Sequence, residues 1–210
     1  MQKNLILIDD HAMILHGLGT YIEHHSSWKV LFKASSLNAA LENLNENDLQ
    51  LNEKISSTIA LIDIKLEDAN GYDLCRIIKE NYPAIKCIMY SMYSSYGNVM
   101  TAIECGADGF ISKNAKEDEL IAALEAVSAG EQYIQEDLRG MMRENSSVLS
   151  ILSPREKQIF DYICKGNNKT QICRELGISK RTCENYLSLL YDKLDVKNME
   201  ELQIKYGGKI

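Results

Sequence analysis

Short apolar runs alternate with amphipathic stretches through the first 130 residues of the chain. Each run has the length of a buried strand, and in the stretches between runs apolar residues recur every three or four positions, as on one face of a helix. The predicted strands are Leu5–Ile8, Lys29–Ala34, Ile59–Ile62, Ile85–Tyr90 and Gly109–Ser112. This alternation predicts a doubly wound, five-stranded parallel sheet of the α/β class with helices on both faces.

The stretches between and after these strands predict five helices. They are His11–His24, Leu37–Leu44, Tyr72–Asn81, Val99–Cys105 and Glu117–Ala129. The polar segment 45–57 is longer than a minimal connection, and it predicts an extended loop or a helix extension.

The pattern changes after residue 130. Residues 131–150 have no clear period and predict an interdomain linker, partly helical. Ser153 then begins a strong helix start, with proline at the first helical position and Glu156 completing a capping box. Helices are also predicted from Asn168 or Lys169 to Leu176, from Ser179 to about Leu194, and over Met199–Tyr206. Residues 151–210 therefore predict an all-α, four-helix domain that contains a helix-turn-helix.

The composition is ordinary for a soluble protein, with 45% hydrophobic and 25% charged residues. The sequence has no apolar run of membrane-spanning length and no signal-peptide pattern, so we expect a cytoplasmic protein without a membrane partner. The six cysteines form no Cys-x-x-Cys pair, which favours buried, reduced thiols over a zinc site or disulfides.

Charge is distributed unevenly along the chain. Residues 1–147 hold 12 Lys/Arg against 22 Asp/Glu, whereas residues 148–210 hold 11 against 8. The second part is therefore the better candidate for binding a polyanion, although a balance of +3 is a weak indication by itself.

Acidic residues follow two of the predicted strands. Asp9 and Asp10 come directly after the first strand, and Asp63 follows the third. If these strands are neighbours in a parallel sheet, the three carboxylates converge at the edge where α/β sheets bind ligands. Oxygen donors beside phosphate suit Mg²⁺, so Asp63 could be a metal ligand, a nucleophile, or both.

Two more strand ends carry groups that would stabilise a phosphorylated Asp63. Ser91 offers a hydroxyl and Lys113 an ammonium, and a phosphoryl group brings about two negative charges and three acceptor oxygens. Each residue also has a simpler explanation, because Asp9 and Asp10 could cap the next helix and Ser91 could merely end a strand.

The order Asp-Asp, Asp, Ser, Lys at these spacings resembles the receiver domain of bacterial two-component response regulators. The passages Leu152-Ser-Pro-Arg-Glu-Lys-Gln-Ile, Gly166-Asn-Asn-Lys-Thr-Gln-Ile-Cys and Leu176-Gly-Ile-Ser-Lys-Arg-Thr-Cys-Glu-Asn-Tyr resemble the LuxR-type DNA-binding domain. The whole chain thus resembles a NarL/FixJ-family response regulator, with a flavodoxin-like receiver at 1–130, a linker at 131–150 and a DNA-binding domain at 151–210.

The resemblance implies a role for each receiver residue. Asp63 would be the phosphoacceptor, and Mg²⁺ would be held by Asp9, Asp10, Asp63 and the backbone carbonyl of Lys65. Ser91 and Lys113 would bind the phosphoryl group. Phe110 would be the aromatic switch, with a buried core position as the alternative. The chain departs from the family at Glu67, where proline is common, and we expect the loop after Asp63 to be more mobile for that reason.

The resemblance also implies that the third helix of the last domain enters the major groove of double-stranded DNA. The residues implied in DNA contact are Lys169, Lys180, Arg181, Thr182, Glu184, Asn185, Ser188 and Lys193, with Arg155 and Asn168 as further phosphate candidates. Glu184 and Tyr186 depart from the family, since relatives often carry a basic residue and histidine there. We therefore expect modest DNA affinity that depends on dimerisation.

A non-enzymatic, phosphorylation-controlled transcription regulator is the function that the resemblance implies. Its partners would be a sensor histidine kinase, DNA, and a second copy of the chain on activation. Two alternatives stay open. An aspartate-dependent phosphatase would use similar residues, although Lys65 stands where such enzymes carry a second acid. An interaction adaptor that has lost DNA binding would explain Glu184 and Tyr186.

Overall fold

The computed structural model describes residues 3–46 and 58–207, so most of the predicted extended loop at 45–57 lies outside the described residues. The described chain forms two compact units. The first falls within Met1–Met92 and Ala102–Gln135, and the second within Tyr93–Thr101 and Glu136–Ile210.

A parallel sheet forms the centre of the first unit. Its strands are β1 (Lys3–Ile8), β2 (Trp28–Ala34), β3 (Thr58–Ile62), β4 (Lys86–Ser91), β5 (Gly109–Ser112) and β6 (Tyr133–Ile134). They lie in the order β2-β1-β3-β4-β5-β6, and all pairs are parallel. The doubly wound architecture is confirmed. The direction of winding reverses between β1 and β3, and the crevice at their carboxyl ends is where such sheets bind ligands.

Helices cover the sheet, and buried residues recur on the inner face of each. They are α1 (Ala12–His25), α2 (Leu37–Glu46), α3 (Gly71–Asn81) and, after α4 (Tyr96–Glu104), α5 (Glu117–Ser128). Residues 96–101 of α4 belong to the second unit, and only its last three residues belong to the first. The strands β1, β3 and β5 are almost continuously buried, as expected for central strands of a sheet covered on both faces. Helix α4 begins three residues before the predicted start at Val99, because Ser95 accepts backbone hydrogen bonds at its first turn.

A sixth strand is the main difference from the predicted five-stranded sheet. Tyr133 and Ile134, in the predicted linker, pair with Gly109 and Phe110 of β5. Gln135 then accepts a hydrogen bond from the Ser112 backbone through its side chain, at 3.0 Å. The strand is two residues long and is defined by backbone bonds, so no hydrophobic period could reveal it.

The second unit is helical. It contains α6 (Glu136–Leu149), α7 (Pro154–Cys164), α8 (Lys169–Leu176), α9 (Lys180–Leu194) and α10 (Met199–Tyr206). The last four helices were predicted, whereas α6 occupies most of a segment with no clear sequence period. Gly140 and two adjacent serines weaken its helix propensity, and among its described side chains only Leu138 and Leu149 are buried.

Caps and aromatic packing define this unit. Ser153 and Glu156 form the predicted capping box, and Gly177 ends α8 in the left-handed conformation with φ of 61°. Phe160 lies at the centre of the core, with its ring 6.2 Å from Tyr96 and 5.3 Å from Tyr206. The turn at Gly177 joins α8 to α9, which Ser179 caps, as a helix-turn-helix. None of the described helices combines the length and apolar character that a membrane crossing needs.

Candidate functional site

The carboxylates predicted to converge do meet at the edge of the sheet. Asp9 follows β1 and Asp63 follows β3, and backbone bonds fix both strand ends: Asp63 donates to Ile8 at 2.8 Å and Asp9 to Ala34 at 3.0 Å. Both acids are buried, with exposed fractions of 4% and 5%. Two carboxylates so placed repel each other, and the site needs positive charge to be stable.

Lys113 supplies that charge in the described structure. Its ammonium lies 2.6 Å from Asp9 Oδ2 and 2.7 Å from Asp63 Oδ2, with only 5% of the side chain exposed. The backbone N–H of Lys113 donates to the Ser91 carbonyl at 2.9 Å, which ties β5 to the end of β4. Burial, followed by the Asp9 carboxylate, raises the pKa of the neighbouring Tyr90.

Asp10 and His11 complete a cluster of possible metal ligands. One donor atom each from Asp9, Asp10, His11 and Asp63 lies within 4.8 Å of the others. Asp10 Oδ1 is buried, and His11 Nδ1 lies 2.5 Å from it. The three carboxylates of this cluster fit Mg²⁺, which prefers oxygen ligands. Sequence reasoning missed His11, whose only signal was its position next to the paired acids.

Gly71 allows the chain to pass close to Asp63. Its N–H donates to Ile64 at 2.7 Å, and a Cβ at this position would lie 1.9 Å from the Asp63 carbonyl oxygen. Only glycine fits without a backbone shift, so the loop after Asp63 must close through this residue.

Asp68 fastens the same loop to α2. Its carboxylate accepts from the backbone N–H groups of Leu37 at 2.8 Å and Asn38 at 3.1 Å, which are unpaired donors at a helix start. The bond from Leu37 makes the largest contribution to lowering the pKa of Asp68. The loop after Asp63, with Glu67 where the family often has proline, is thus anchored to the start of α2 by the Asp68 side chain.

The other predicted receiver residues lie around this cluster. Ser91 ends β4, is fully buried, and pairs in register with Ser112. Phe110 lies in β5, where it pairs with Met89 of β4 and Ile134 of β6. Its side chain is 1% exposed, so the ring faces the interior. Lys65 has an exposed side chain, and its backbone forms a bridge with Asn70.

Helix α9 presents the predicted DNA-contact residues on its exposed surface. Ser179 caps the helix by accepting from the Thr182 backbone N–H at 3.1 Å, and Cys183, Leu187 and Leu190 face the core. The exposed residues of the predicted set on α9 are Lys180, Arg181, Thr182, Glu184, Asn185, Ser188 and Lys193. Several of these recur at helical spacing, so the surface can be offered to a groove as one face.

An ion pair lies on this surface. Lys169 of α8 is 2.8 Å from Glu184 of α9, and both side chains are about half exposed. The pairing raises the pKa of Lys169 and lowers the pKa of Glu184. One of the predicted phosphate-binding cations is therefore already paired with an acid of the candidate recognition helix.

Two other predicted phosphate-binding cations form internal contacts. Lys193 lies 2.7 Å from the buried carboxylate of Glu156, and Arg155 donates to the Leu176 carbonyl at 2.7 Å. The Lys193 ammonium lowers the pKa of Glu156. These contacts join α7 to α9 and to the end of α8, which gives both residues a structural role.

Two family models match the chain. The model described as "Response regulator receiver domain" matches residues 5–125, and the model described as "Bacterial regulatory proteins, luxR family" matches residues 150–205.

Curated relatives match over nearly the full length. The transcriptional regulatory protein MctR of Rhizobium johnstonii is 28% identical, with 97% of this chain and 92% of the relative covered. The response regulator UvrY of Escherichia coli K12 is 26% identical, with coverages of 97% and 94%.

Solved structures share the fold. A complex of the two-component response regulator RcsB with DNA matches with a TM-score of 0.69 and 21% identity, covering 98% of each chain. RcsB of Salmonella enterica serovar Typhimurium, bound to a promoter in the presence of the phosphomimetic BeF₃⁻, matches with a TM-score of 0.66 and 22% identity, again over 98% of each chain.

Substitution of two glycines tests the close approach at Asp63. Gly71→Ala should destabilise the first unit by more than about 2 kcal/mol, because the new methyl group collides with backbone rather than with a movable side chain. Gly17→Ala, in the exposed part of α1 with no atom within 4 Å of the new Cβ, should instead stabilise by about 0.5–1 kcal/mol.

Urea unfolding followed by the fluorescence of the single tryptophan, the buried Trp28, measures both changes in the first unit. Equal free energies of unfolding for the two variants would contradict the crowded geometry at Asp63.

Proposed function

We propose that Asp63 is the phosphoacceptor of this chain, which belongs to the response regulators and joins a receiver domain to a LuxR-type DNA-binding domain. The observation that carries the proposal is the pairing of Lys113 with both Asp9 and Asp63 at the crevice between β1 and β3. An aspartate at the rim of that crevice can accept a phosphoryl group, and the neighbouring cation can stabilise the product.

The charges of the site support this chemistry. Phosphorylation replaces the single charge of Asp63 with a group of about two negative charges and three acceptor oxygens. Lys113 is within reach to pair with that group, and the Ser91 hydroxyl, at the end of the adjacent strand, is its second proposed partner. Asp9, Asp10, Asp63 and the backbone carbonyl of Lys65 are the proposed ligands of Mg²⁺, which neutralises phosphoryl and carboxylate charge when bound.

The switch is proposed to involve Phe110. Its ring is already inside the first unit, and its backbone carbonyl accepts from the Gln135 N–H at 3.2 Å. Movement of Ser91 towards a phosphoryl group changes the packing at the end of β4, next to the strand that carries Phe110. The strand β6 is bonded to the same part of β5, so a shift of β5 acts directly on the residues that precede α6.

The proposed domains and partners are those that the resemblance of the sequence to response regulators implies. The receiver spans 1–130, a connecting segment 131–150, and the DNA-binding domain 151–210. The proposed partners are a sensor histidine kinase, double-stranded DNA, and a second copy of the chain after activation, in the cytoplasm. Support for the dimer comes from a relative, since one matching structure is described as two RcsB dimers bound to two parallel DNAs.

DNA contact is proposed for the exposed face of α9. Lys180, Arg181 and Thr182 at its start suit phosphate contacts, while Asn185 lies about one turn and Ser188 about two turns further along, where base edges can be reached. Glu184 is proposed to accept from a base, and Lys169 to contact phosphate once its pair with Glu184 opens. Lys193 can contribute only by leaving Glu156, so we expect it to be the weakest contributor.

Phosphoryl transfer from acetyl phosphate tests the assignment of Asp63. With Mg²⁺, the wild-type chain should gain one phosphoryl group, measured by intact mass and by Phos-tag gel shift, and Asp63→Asn should gain none because an amide is not a nucleophile for this reaction. Asp68→Asn is the matched control: it alters an acid of the same loop but keeps a capping oxygen for α2.

Incorporation in Asp63→Asn at the wild-type level would refute the assignment. If neither the wild type nor Asp68→Asn takes up a phosphoryl group, the proposed phosphorylation of the receiver is contradicted.

Removing the carboxylate of Glu184 on α9 tests the proposed DNA surface. Glu184→Gln should bind duplex DNA more tightly and with a steeper salt dependence, by about one unit of the slope of log affinity against log salt, because Lys169 is released for a phosphate. Fluorescence anisotropy with a labelled duplex at several salt concentrations gives both values. Asp118→Asn makes the same change of net charge on α5 and should leave the slope unchanged. If both substitutions change the slope equally, the effect comes from net charge alone and the release of Lys169 is contradicted.

A further inference from the structure

We propose that Cys173 and Cys183 are a redox-sensitive pair of thiols, which a hydroperoxide converts to a disulfide that joins α8 to α9 and weakens DNA binding. The two cysteines stand ten positions apart in the sequence, so no Cys-x-x-Cys spacing points to them. The effect on DNA rests on the proposed DNA-contact surface of α9, whereas the formation of the disulfide does not rest on that proposal.

Packing of α8 against α9 brings the two side chains together. Lys169 and Cys173 are four residues apart on α8 and so share one face of the helix. The Lys169 ammonium lies 2.8 Å from the carboxylate of Glu184, the residue that follows Cys183 on α9. This ion pair turns the face of α8 that carries Cys173 towards the part of α9 that carries Cys183. The Cys173 side chain packs against the core that contains Cys183, and the two thiols are hydrogen-bonded to each other.

Backbone hydrogen bonds hold both cysteines at the turn between the two helices. The Cys173 carbonyl accepts from the Ile178 N–H at 3.0 Å, and the Cys183 N–H donates to the Ser179 carbonyl at 3.0 Å. Both bonds flank Gly177, the left-handed end of α8. A bond between the two sulfur atoms would therefore close a loop of only about ten residues around a defined turn, at a small cost in chain entropy.

The two thiols differ in access to an oxidant. All six cysteines lie in the described residues as free thiols, and among them only Cys173 is partly exposed. Cys183 is fully buried, and burial, followed by the hydrogen bond with Cys173, raises the pKa of Cys183 to about 11. Cys173 is therefore the thiol that reacts with the oxidant, and Cys183 is the second, resolving thiol. Direct contact between the thiols offsets the high pKa of Cys183, because the second step is intramolecular.

The reaction uses one hydroperoxide for each disulfide. The thiolate of Cys173 attacks the terminal oxygen of the hydroperoxide and breaks the O–O bond, which gives a sulfenic acid and releases an alcohol, or water when the oxidant is hydrogen peroxide. The thiolate of Cys183 then attacks the sulfenic sulfur, forms the S–S bond and breaks the S–O bond, and the hydroxide leaves as water with the proton from Cys183. The two thiols lose two electrons and two protons in total. In the proposed cytoplasmic setting the bond is transient, because cellular thiols reduce it again.

The disulfide changes the position of the proposed DNA-contact residues. A covalent S–S bond brings the two sulfur atoms closer than a hydrogen bond does, so α8 and the first turns of α9 are drawn together. Thr182 and Glu184 flank Cys183 on α9, and both belong to the proposed DNA-contact set. Contacts to phosphates and base edges require a defined orientation of this helix, so we expect the oxidised form to bind DNA less tightly.

A second pair of thiols in the first unit provides an internal comparison. Cys75 of α3 and Cys87 of β4 are also hydrogen-bonded to each other, but both side chains are 0% exposed. A hydroperoxide does not reach them in the folded protein. Contact between thiols is thus present in both units, and access to the oxidant singles out the pair that contains Cys173.

Peptide mapping of the full chain tests the formation of the disulfide. The protein is treated with one equivalent of hydrogen peroxide, free thiols are alkylated, and tryptic peptides are analysed by mass without reduction. We expect residues 170–174 and 182–193 to be recovered as one linked species that dithiothreitol separates. Cys173→Ser and Cys183→Ala should give no linked species, whereas Cys164→Ala, which removes a buried thiol of the same unit, should give it as in the wild type.

Fluorescence anisotropy with a labelled duplex tests the effect on DNA. Oxidation should lower the affinity of the wild type at least about fivefold, the scale of one lost base contact, and dithiothreitol should restore it. Peroxide should leave the affinity of Cys173→Ser unchanged, which separates the disulfide from oxidation of methionines.

The outcomes distinguish the proposed switch from the proposed DNA binding. No linked species in the wild type, or linkage of Cys75 to Cys87 in its place, would overturn the redox role of Cys173. A linked species with unchanged DNA affinity would overturn the control of binding by oxidation. If the reduced wild type binds no DNA while the linked species still forms, the disulfide stands and the proposed DNA-binding function is contradicted.

Discussion

The ammonium of Lys113 between Asp9 and Asp63 holds together a buried cluster of like charges that would otherwise separate. The sheet topology creates the need for it, because β1 and β3 are neighbours and both end in acids. Removing one partner of a buried pair leaves an uncompensated charge, which is costly. The proposed phosphorylation of Asp63 would redistribute the charge that Lys113 must neutralise, and this is the proposed basis of switching.

The consequences of that redistribution can reach the linker through backbone bonds. Lys113 follows β5, its N–H is bonded to Ser91, and β6 lies along the other edge of β5. Gln135 adds a side-chain bond to Ser112. A change at the proposed phosphoryl site would therefore act on a short, hydrogen-bonded path that ends where α6 begins.

Internal ion pairs also reduce the positive charge that the helical domain can offer to DNA. Lys193 is paired with Glu156 and Lys169 with Glu184, so part of its positive charge is neutralised before any DNA is bound. Non-specific binding to DNA depends on the number of phosphates neutralised, so we expect a single copy with these two cations paired to bind weakly. Joining two such domains in a dimer raises the effective concentration of the second contact, which makes activation by dimerisation physically reasonable.

Much of this molecule could be predicted from local sequence. Strand ends, the capping box at Ser153 and the left-handed Gly177 are encoded within a few residues, and the acids converge because parallel strands share an edge. The unpredicted features depend on distant pairing. Strand β6 is defined by backbone bonds to β5, and Asp68 caps a helix about 30 residues earlier in the chain. His11 gave no spacing signal because it simply follows the acids it approaches.

The most direct test of the account is the mass of the chain in solution, measured by size-exclusion chromatography with light scattering, with and without Mg²⁺ and beryllium fluoride, which mimics an aspartyl phosphate. Control through phosphorylation of Asp63 predicts a shift to the dimer only when both are present, and no shift in Asp63→Asn. An unchanged mass in the wild type, or the same shift in Asp63→Asn, would contradict control of assembly through Asp63.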